Sequence, residues 1–399
     1  MTNSFVSDRV SNMEESATLL MAQKSRELQQ QGVDVIALSL GEPDFHTPDF
    51  IKEAAKEAIN QNFTTYMPVP GYPDLREAVA LKLKRDNNLD YSPAQIIVST
   101  GAKHSIANVC LSLLNKGDEV ILPAPYWVSY REMVRMAEAV PVEVKAGIET
   151  NFKITAQHLK SAITPKTKLI IFSTPCNPSG SVYSKEELKQ LADVIAECPN
   201  VFVLSDEIYE HITFSGKHES IAQFENIKNQ TIVVNGVSKA FAMTGWRIGY
   251  LAGPKWVVDA CIKIQGQFTS GACGIAQKAA KAELLADPQV TYNMRNAFLN
   301  RRDLVVKLLK DITGVITNIP DGAFYVFPDM TYFFGKSDGN ITIKNADDLS
   351  MYLLLKAHVA VVGGDAFGMP ECIRISYATS EDKIIEAIQR MKNALEKLK

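Results

Sequence analysis

Hydrophobic positions along the chain follow two rhythms that alternate. Short, nearly unbroken apolar runs at 96–100, 119–122, 142–144, 169–173, 201–205, 231–235 and 247–252 read as strands. Between them apolar residues recur three and four apart, the spacing of helices that cover a sheet. Runs that are continuously apolar rather than alternating predict strands covered on both faces, so residues 48–286 read as a large α/β domain with a mostly parallel sheet. The opening 47 residues carry a helical stretch at 16–31 and an extended run at 33–40. Beyond residue 287 the pattern predicts a long helix to about 313 and strands at 315–319 and 323–327. A helix at 345–357, strands at 359–362 and 373–377 and a final helix from 380 complete a smaller α+β domain, 287–399.

Composition narrows the classes. With 399 residues, 46% of them hydrophobic, the chain can bury large cores in two domains. A net charge of -3 and a pI near 6.1 offer no basic surface for nucleic acid. Asp8, Arg9, Glu14, Glu15, Lys24, Arg26 and Glu27 interrupt the first 30 residues, which predicts neither signal peptide nor membrane span and favours a cytoplasmic protein. Six cysteines are scattered without a CxxC pair and read as reduced thiols; six histidines lack ligand spacing, so no metal is expected.

Candidate chemistry gathers where strands end. The stretch SKAFAMTGWRIG, 238–249, follows the apolar run at 231–235. Lys239 stands there among apolar neighbours: buried, its amine would be a nucleophile of lowered pKa; exposed, it is an ordinary lysine. Arg247 is either an anion-binding fork or a strand-edge charge, and Ser238 adds a hydroxyl. Nucleophilic amine plus anion clamp suggests a Schiff-base site for a phosphorylated aldehyde. Asp206 closes the strand VFVLSDE with Tyr209 three residues on, and Asn177 lies in the turn after KLIIFS. Gly101 sits between a strand and a helix start in IIVSTGAKHS, where free backbone amides can cradle a phosphate. Arg374, inside CIRISYA, would need an anion if buried.

The motifs SATLLMAQK, GEPDF, GYPDLREA, PYWVSY, NPSG, VSDEIYEH, SKAFAMTGWRIGY, GAFYVF and RISYATSE span nearly the whole chain. In order and spacing they resemble fold-type-I pyridoxal-phosphate enzymes, and within them class I aminotransferases of the bacterial aspartate aminotransferase subgroup. The resemblance implies a large domain with a mostly parallel seven-stranded sheet, a small α+β domain, and residues 1–47 as an arm and part of that small domain. It implies pyridoxal 5'-phosphate as cofactor, with Lys239 forming the Schiff base and then moving the α-proton. Asp206 would face the ring nitrogen, Asn177 and Tyr209 the ring oxygen, and Trp127 the ring face. The phosphate would rest on Gly101, Ala102, Lys103, Ser238, Arg247 and, across a homodimer with shared sites, the partner's Tyr66. Gly41, Trp127, Asn177 and Arg374 would hold the α-carboxylate end of the substrate. Lys103, Ser16 and Thr18 would hold a distal carboxylate, favouring aspartate and 2-oxoglutarate, with prephenate as a further substrate.

Some positions depart from the subgroup's usual pattern: Ala102, Cys176, Ser179, His104, Gly363 and the segment 330–346. An aromatic or alanine-type aminotransferase, or a β-lyase of the same fold, would keep Lys239, Asp206 and Arg374. A regulator of this fold would carry a basic DNA-binding extension, and none precedes the motifs.

Overall fold

The computed structural model describes residues 5–399. Its first strand, β1 (Ile36–Ala37), belongs to the smaller part of the molecule. The seven runs predicted as strands form one sheet from β2 (Ile96–Ser99), β3 (Glu119–Ala124), β4 (Val140–Lys145), β5 (Thr167–Ser173), β6 (Phe202–Asp206), β7 (Thr231–Gly236) and β8 (Gly249–Ala252). Their order is β2-β8-β7-β6-β5-β3-β4, and β8 pairs antiparallel with both neighbours while the other pairings are parallel.

Unbroken apolar sequence is what a sheet buried on both faces requires. Ile97, Leu204, Ile232, Val234 and Leu251 pack on one face against Ile106 and Val109 of the Ala102–Leu113 helix and Val257 of the Lys255–Phe268 helix. Their alternates Ile96, Val98, Val233 and Tyr250 pack on the other against Leu75 and Leu83 of the Pro73–Asn87 helix and Ala276 of the Gly274–Leu285 helix. Because β8 alone runs backwards, the carboxyl ends of β2, β5, β6 and β7 share an edge with the amino end of β8. Positions 101, 177, 206, 239 and 247 all follow or flank those ends.

The remaining strands are β9 (Tyr325–Val326), β10 (Val359–Ala360), β11 (Val362–Gly363) and β12 (Ile373–Ser376). They form a sheet of order β11-β12-β9 and a parallel β1–β10 pair. A separate apolar core joins Ile36 and Leu38 to Phe298, Leu309, Val359, Ile375 and Met391. Leu38 is stitched in by its amide to Ala360 O at 2.8 Å and by its carbonyl, which accepts from Ser376 N at 2.9 Å.

Four expected elements come out differently. Residues 315–319 form no strand, only a bridge between Ile316 and Asp329, because Ile316 and Ile319 face solvent instead of a core. The strand expected at 323–327 shrinks to β9, since Ala323 takes the left-handed φ of +57° just before it. The strand expected from 247 begins at Gly249 because Arg247 is itself left-handed, φ +58°. The helix expected at 345–357 is α-helical over Ala346–Tyr352 and winds on as a π-helix over Leu353–Ala357. No helix among the described residues is long and apolar enough to cross a membrane.

Candidate active site

The shared strand edge and the small sheet enclose a cavity of about 310 Å³. It is lined by Ser16, Thr18, Gly41, Ala102, Lys103, Trp127, Asn177, Asp206, Tyr209, Ser238, Lys239, Arg247 and Arg374, so residues far apart in sequence meet as strand ends predicted.

Lys239 is half-buried at the turn after β7, and its Nζ donates to Gly41 O at 2.7 Å. Burial, helped by the charges of Arg374 and Arg247 and opposed by Glu42, brings the amine down from 10.5 to about 8. That is the depressed pKa a nucleophilic lysine needs. Gly41 must be glycine, because a Cβ there would overlap the Tyr325 hydroxyl.

Asp206 ends β6 and is 5% exposed. Burial pushes its carboxyl up to about 6, against hydrogen bonds from the Tyr130 hydroxyl to Oδ2, 2.7 Å, and from the Ile208 amide to Oδ1, 3.3 Å. A buried carboxylate with so little compensating charge suits a cationic ring nitrogen better than a water-filled site. Trp127 lies edge-on to Tyr130, centroids 5.5 Å apart, and carries the Lys103 ammonium 4.9 Å over its ring. Burial, then Arg247, lowers the Lys103 amine below the usual lysine range.

Arg374, on β12, is 1% exposed yet has no carboxylate partner among the described residues. Its fork donates to Asn177 Oδ1 at 2.9 Å, Ser39 O at 2.5 Å and Thr18 Oγ1 at 3.4 Å, while Nε stays unpaired. The Tyr325 and Phe367 rings flank it at 4.7 and 4.9 Å. A guanidinium this buried calls for an anion of its own, and a carboxylate brought by a ligand fits the vacant directions of the fork. Asn177, its oxygen already engaged, keeps its amide hydrogens for the cavity.

The residues also fit a phosphorylated ring compound. Gly101 caps the Ala102–Leu113 helix at φ +83° and lies against the Arg247 side chain, so a Cβ there would collide with that guanidinium beside the helix's first turn. Arg247 donates only to backbone carbonyls, Thr244 O at 2.9 Å and Thr100 O at 3.5 Å, so its charge is uncommitted. The Ser238 hydroxyl stands in the same lining. Gly101 adjoins the lining residue Ala102 without itself lining the cavity, and Tyr66 is placed elsewhere: it is 96% exposed and does not line this chain's cavity.

Two lining tyrosines were not singled out from the sequence. Tyr130 holds Asp206, and the Tyr325 hydroxyl lies 2.8 Å from that of Tyr209. Both stand in quoted motifs, PYWVSY and GAFYVF, and a buried tyrosine needs a partner for its hydroxyl, which was the available signal. Outside the cavity, Glu207, Glu210 and His218 bring possible ligand atoms within 4.8 Å of one another, a grouping their sequence spacing did not reveal.

Comparison with known proteins agrees with this geometry. A bifunctional aspartate aminotransferase and glutamate/aspartate-prephenate aminotransferase of Petunia hybrida is 47% identical over 399 residues, covering 99% of this chain and 83% of that one. The aspartate aminotransferase of Rhizobium meliloti superposes with a TM-score of 0.95 at 40% identity, covering 99% of each chain. That of Thermus thermophilus, solved with maleate, superposes at 0.92 with 41% identity, covering 98% of this chain and 99% of that one. The model for class I and II aminotransferases matches residues 33–391, and with a lysine, a carboxylate and two uncommitted arginines converging at its strand ends, this chain belongs to that family.

Proposed function

We propose that the cavity holds pyridoxal 5'-phosphate and that the chain transfers the amino group of L-aspartate to 2-oxoglutarate, giving oxaloacetate and L-glutamate in two half-reactions. Prephenate is a further amino acceptor in this reading. The observation that carries it is the Lys239 amine, brought to about 8, in one cavity with a buried Arg374 that lacks a carboxylate partner. When bound, pyridoxal phosphate supplies an aldehyde for amino groups and a ring that accepts the electron pair left by the departing α-proton.

The chain's own residues supply the rest. Lys239 Nζ would hold the aldehyde, and its amine is the base placed to accept the substrate's α-proton and give it back. Asp206, held in place by the Tyr130 hydroxyl, would keep a proton on the ring nitrogen. Tyr209 and the free Asn177 amide would donate to a ring oxygen, and Trp127 would offer its face to the ring. Gly101, Ala102, Lys103, Ser238 and Arg247 take the phosphate. Arg374 fixes the α-carboxylate beside Gly41 and Asn177, which orients the bond to be broken. Lys103, with Ser16 and Thr18, selects a distal carboxylate; that the similar Thermus thermophilus enzyme was solved with maleate, a dicarboxylate, supports this.

In the same reading the enzyme is a homodimer. Tyr66 is free to reach the neighbouring site, and Phe268, 68% exposed, lies near the same surface, where Met67 abuts Gly271. Residues 1–47 and 287–399 form the part that closes on 48–286, expelling water when Arg374 captures substrate. Six unpaired cysteines suit a reducing compartment, and we place the enzyme in the cytoplasm.

The test is a half-reaction without acceptor, following the visible spectrum of the yellow enzyme with single amino acids. Rapid bleaching by aspartate and glutamate, and slow bleaching by alanine and phenylalanine, is expected. Fast bleaching by neutral amino acids would overturn the substrate assignment, and a colourless protein would overturn the cofactor.

A further inference from the structure

Between Asp206 and His211 the chain divides its side chains between two environments. Asp206, Ile208 and Tyr209 line the cavity. Glu207 and Glu210 do not, yet both are buried, and they face the Pro73–Asn87 helix and the chain around Ser220. The Glu210 carboxylate forms an ion pair with Lys82, itself 2% exposed. It also accepts from Asn87 Nδ2 at 2.8 Å and lies 3.1 Å from His211 Nε2. Glu207 accepts from Ser205 Oγ at 2.9 Å and Ser220 Oγ at 2.6 Å, and pairs with His218 Nε2 at 3.0 Å.

A fully buried ion pair is a poor source of stability, because desolvating both charges consumes most of their attraction. Its value is geometric when further partners fix both charges, as Asn87 does for Lys82 and Asn87 and His211 do for Glu210. Burial works against the charge on Glu210, but Lys82 and His211 outweigh it and hold the carboxyl well below the ordinary range. The backbone couples this anchor to the cavity. Glu210 N donates to Glu207 O at 2.9 Å and Ile212 N to Tyr209 O at 2.8 Å, so Tyr209 and Glu210 sit in one tight turn. A shift of the Glu210 carboxylate must swing the neighbouring tyrosine.

We propose that Glu210, paired with Lys82, is a positioning residue for Tyr209: from the far side of the turn it sets where the Tyr209 hydroxyl stands in the cavity. The inference rests on the reading that this hydroxyl donates to the cofactor's ring oxygen. Glu207, Glu210 and His218 lie close because protein partners already hold them: the Lys82 ammonium meets the Glu210 charge, and Ser205 and Ser220 occupy Glu207.

The test uses holoenzyme and the pH midpoint of the bound cofactor's visible absorbance, beside Tm. Tyr209→Phe, Glu210→Gln, their combination, and the charge-free Lys82→Met/Glu210→Gln pair are compared; Tyr325, Arg374, Asp206 and Lys239, the groups nearest Tyr209, stay unchanged throughout. Expected is a midpoint shift in Glu210→Gln in the same direction as in Tyr209→Phe, by roughly half a pH unit, about threefold in the proton equilibrium. Combining Glu210→Gln with Tyr209→Phe should add nothing further, because the hydroxyl being positioned is gone. Lys82→Met/Glu210→Gln removes both charges, so it should regain Tm while keeping the shifted midpoint.

A lower Tm with an unmoved midpoint, or shifts that add in the combined variant, would overturn the inference. If Tyr209→Phe alone leaves the midpoint in place, the role given to its hydroxyl fails. The crystal structure of Lys82→Met/Glu210→Gln then decides the positioning. A Tyr209–Tyr325 hydroxyl separation well beyond 2.8 Å upholds it, and an unchanged separation overturns it.

Discussion

Replacing Lys239 with methionine should abolish the half-reaction and, at neutral pH, make the cofactor-stripped protein more stable. In the fold the amine titrates at about 8 instead of 10.5, chiefly because burial disfavours its charge. At ~1.4 kcal/mol per pH unit this is roughly 3 kcal/mol of destabilisation, reduced to roughly 2 by the solvent that reaches a half-buried amine. The sign follows from the direction of the shift. A base whose pKa is depressed by folding costs stability while it is charged, so the cost is full below about 8, fades as pH rises, and is gone above 10.5. Methionine also forfeits the hydrogen bond to Gly41 O, worth about 1 kcal/mol. The Lys239→Met protein should therefore be more stable by about 1 kcal/mol at pH 7 and less stable by a similar amount above pH 10. Thermal unfolding of stripped wild type and variant across that range measures the difference. A difference that does not vary with pH, or a variant less stable at pH 7, would refute the argument that burial has prepared this amine for chemistry.

Three further substitutions probe the surrounding shell. Arg374→Lys keeps the charge but loses the fork that now has no carboxylate partner; aspartate kcat/KM should fall about 10²–10³-fold, while a primary amine lacking a carboxylate reacts as with wild type. Equal losses for both substrates would show that Arg374 serves the fold instead. Tyr130→Phe removes a charge-assisted bond of roughly 1.5–3 kcal/mol to Asp206, lifting that carboxyl about 1–2 pH units above its already raised value. The acid limb of the aspartate half-reaction should move to higher pH, and an unmoved limb in a pH–rate profile would count against the Tyr130 assignment. Lys103→Leu should raise KM for aspartate far more than for alanine; parallel changes would reduce Lys103 to a phosphate contact.

The large sheet was legible because several of its strands are continuously apolar and separated by helical periods, so tertiary context had little to override. All seven runs became strands of one sheet. The smaller part was harder for a physical reason. Its strands are two to four residues long and draw cohesion from a core contributed by both ends of the chain, Ile36 with Val359 and Leu38 with Ser376. Local pattern cannot report such pairings, nor the left-handed turns at Arg247 and Ala323 that shorten two expected strands.

At the site, legibility followed chemistry. Lys239, Asp206, Arg247 and Arg374 announce themselves because a charged residue inside or just after an apolar strand must either face solvent or have a task. Tyr130 and Tyr325 carry no such contradiction, since a tyrosine in an apolar motif reads as core until its hydroxyl is seen to reach Asp206 or Tyr209. Glu207 and Glu210 lie between these cases: two carboxylates within DEIYE should have raised the same question as Asp206. The turn answers it by sending Asp206 and Tyr209 into the cavity and the two glutamates toward Lys82, His211, His218 and Ser220. A five-residue segment thus serves two environments at once, and in the proposed arrangement it is the fixed geometry of the buried anchor, not its energy, that keeps Tyr209 in place while substrates exchange.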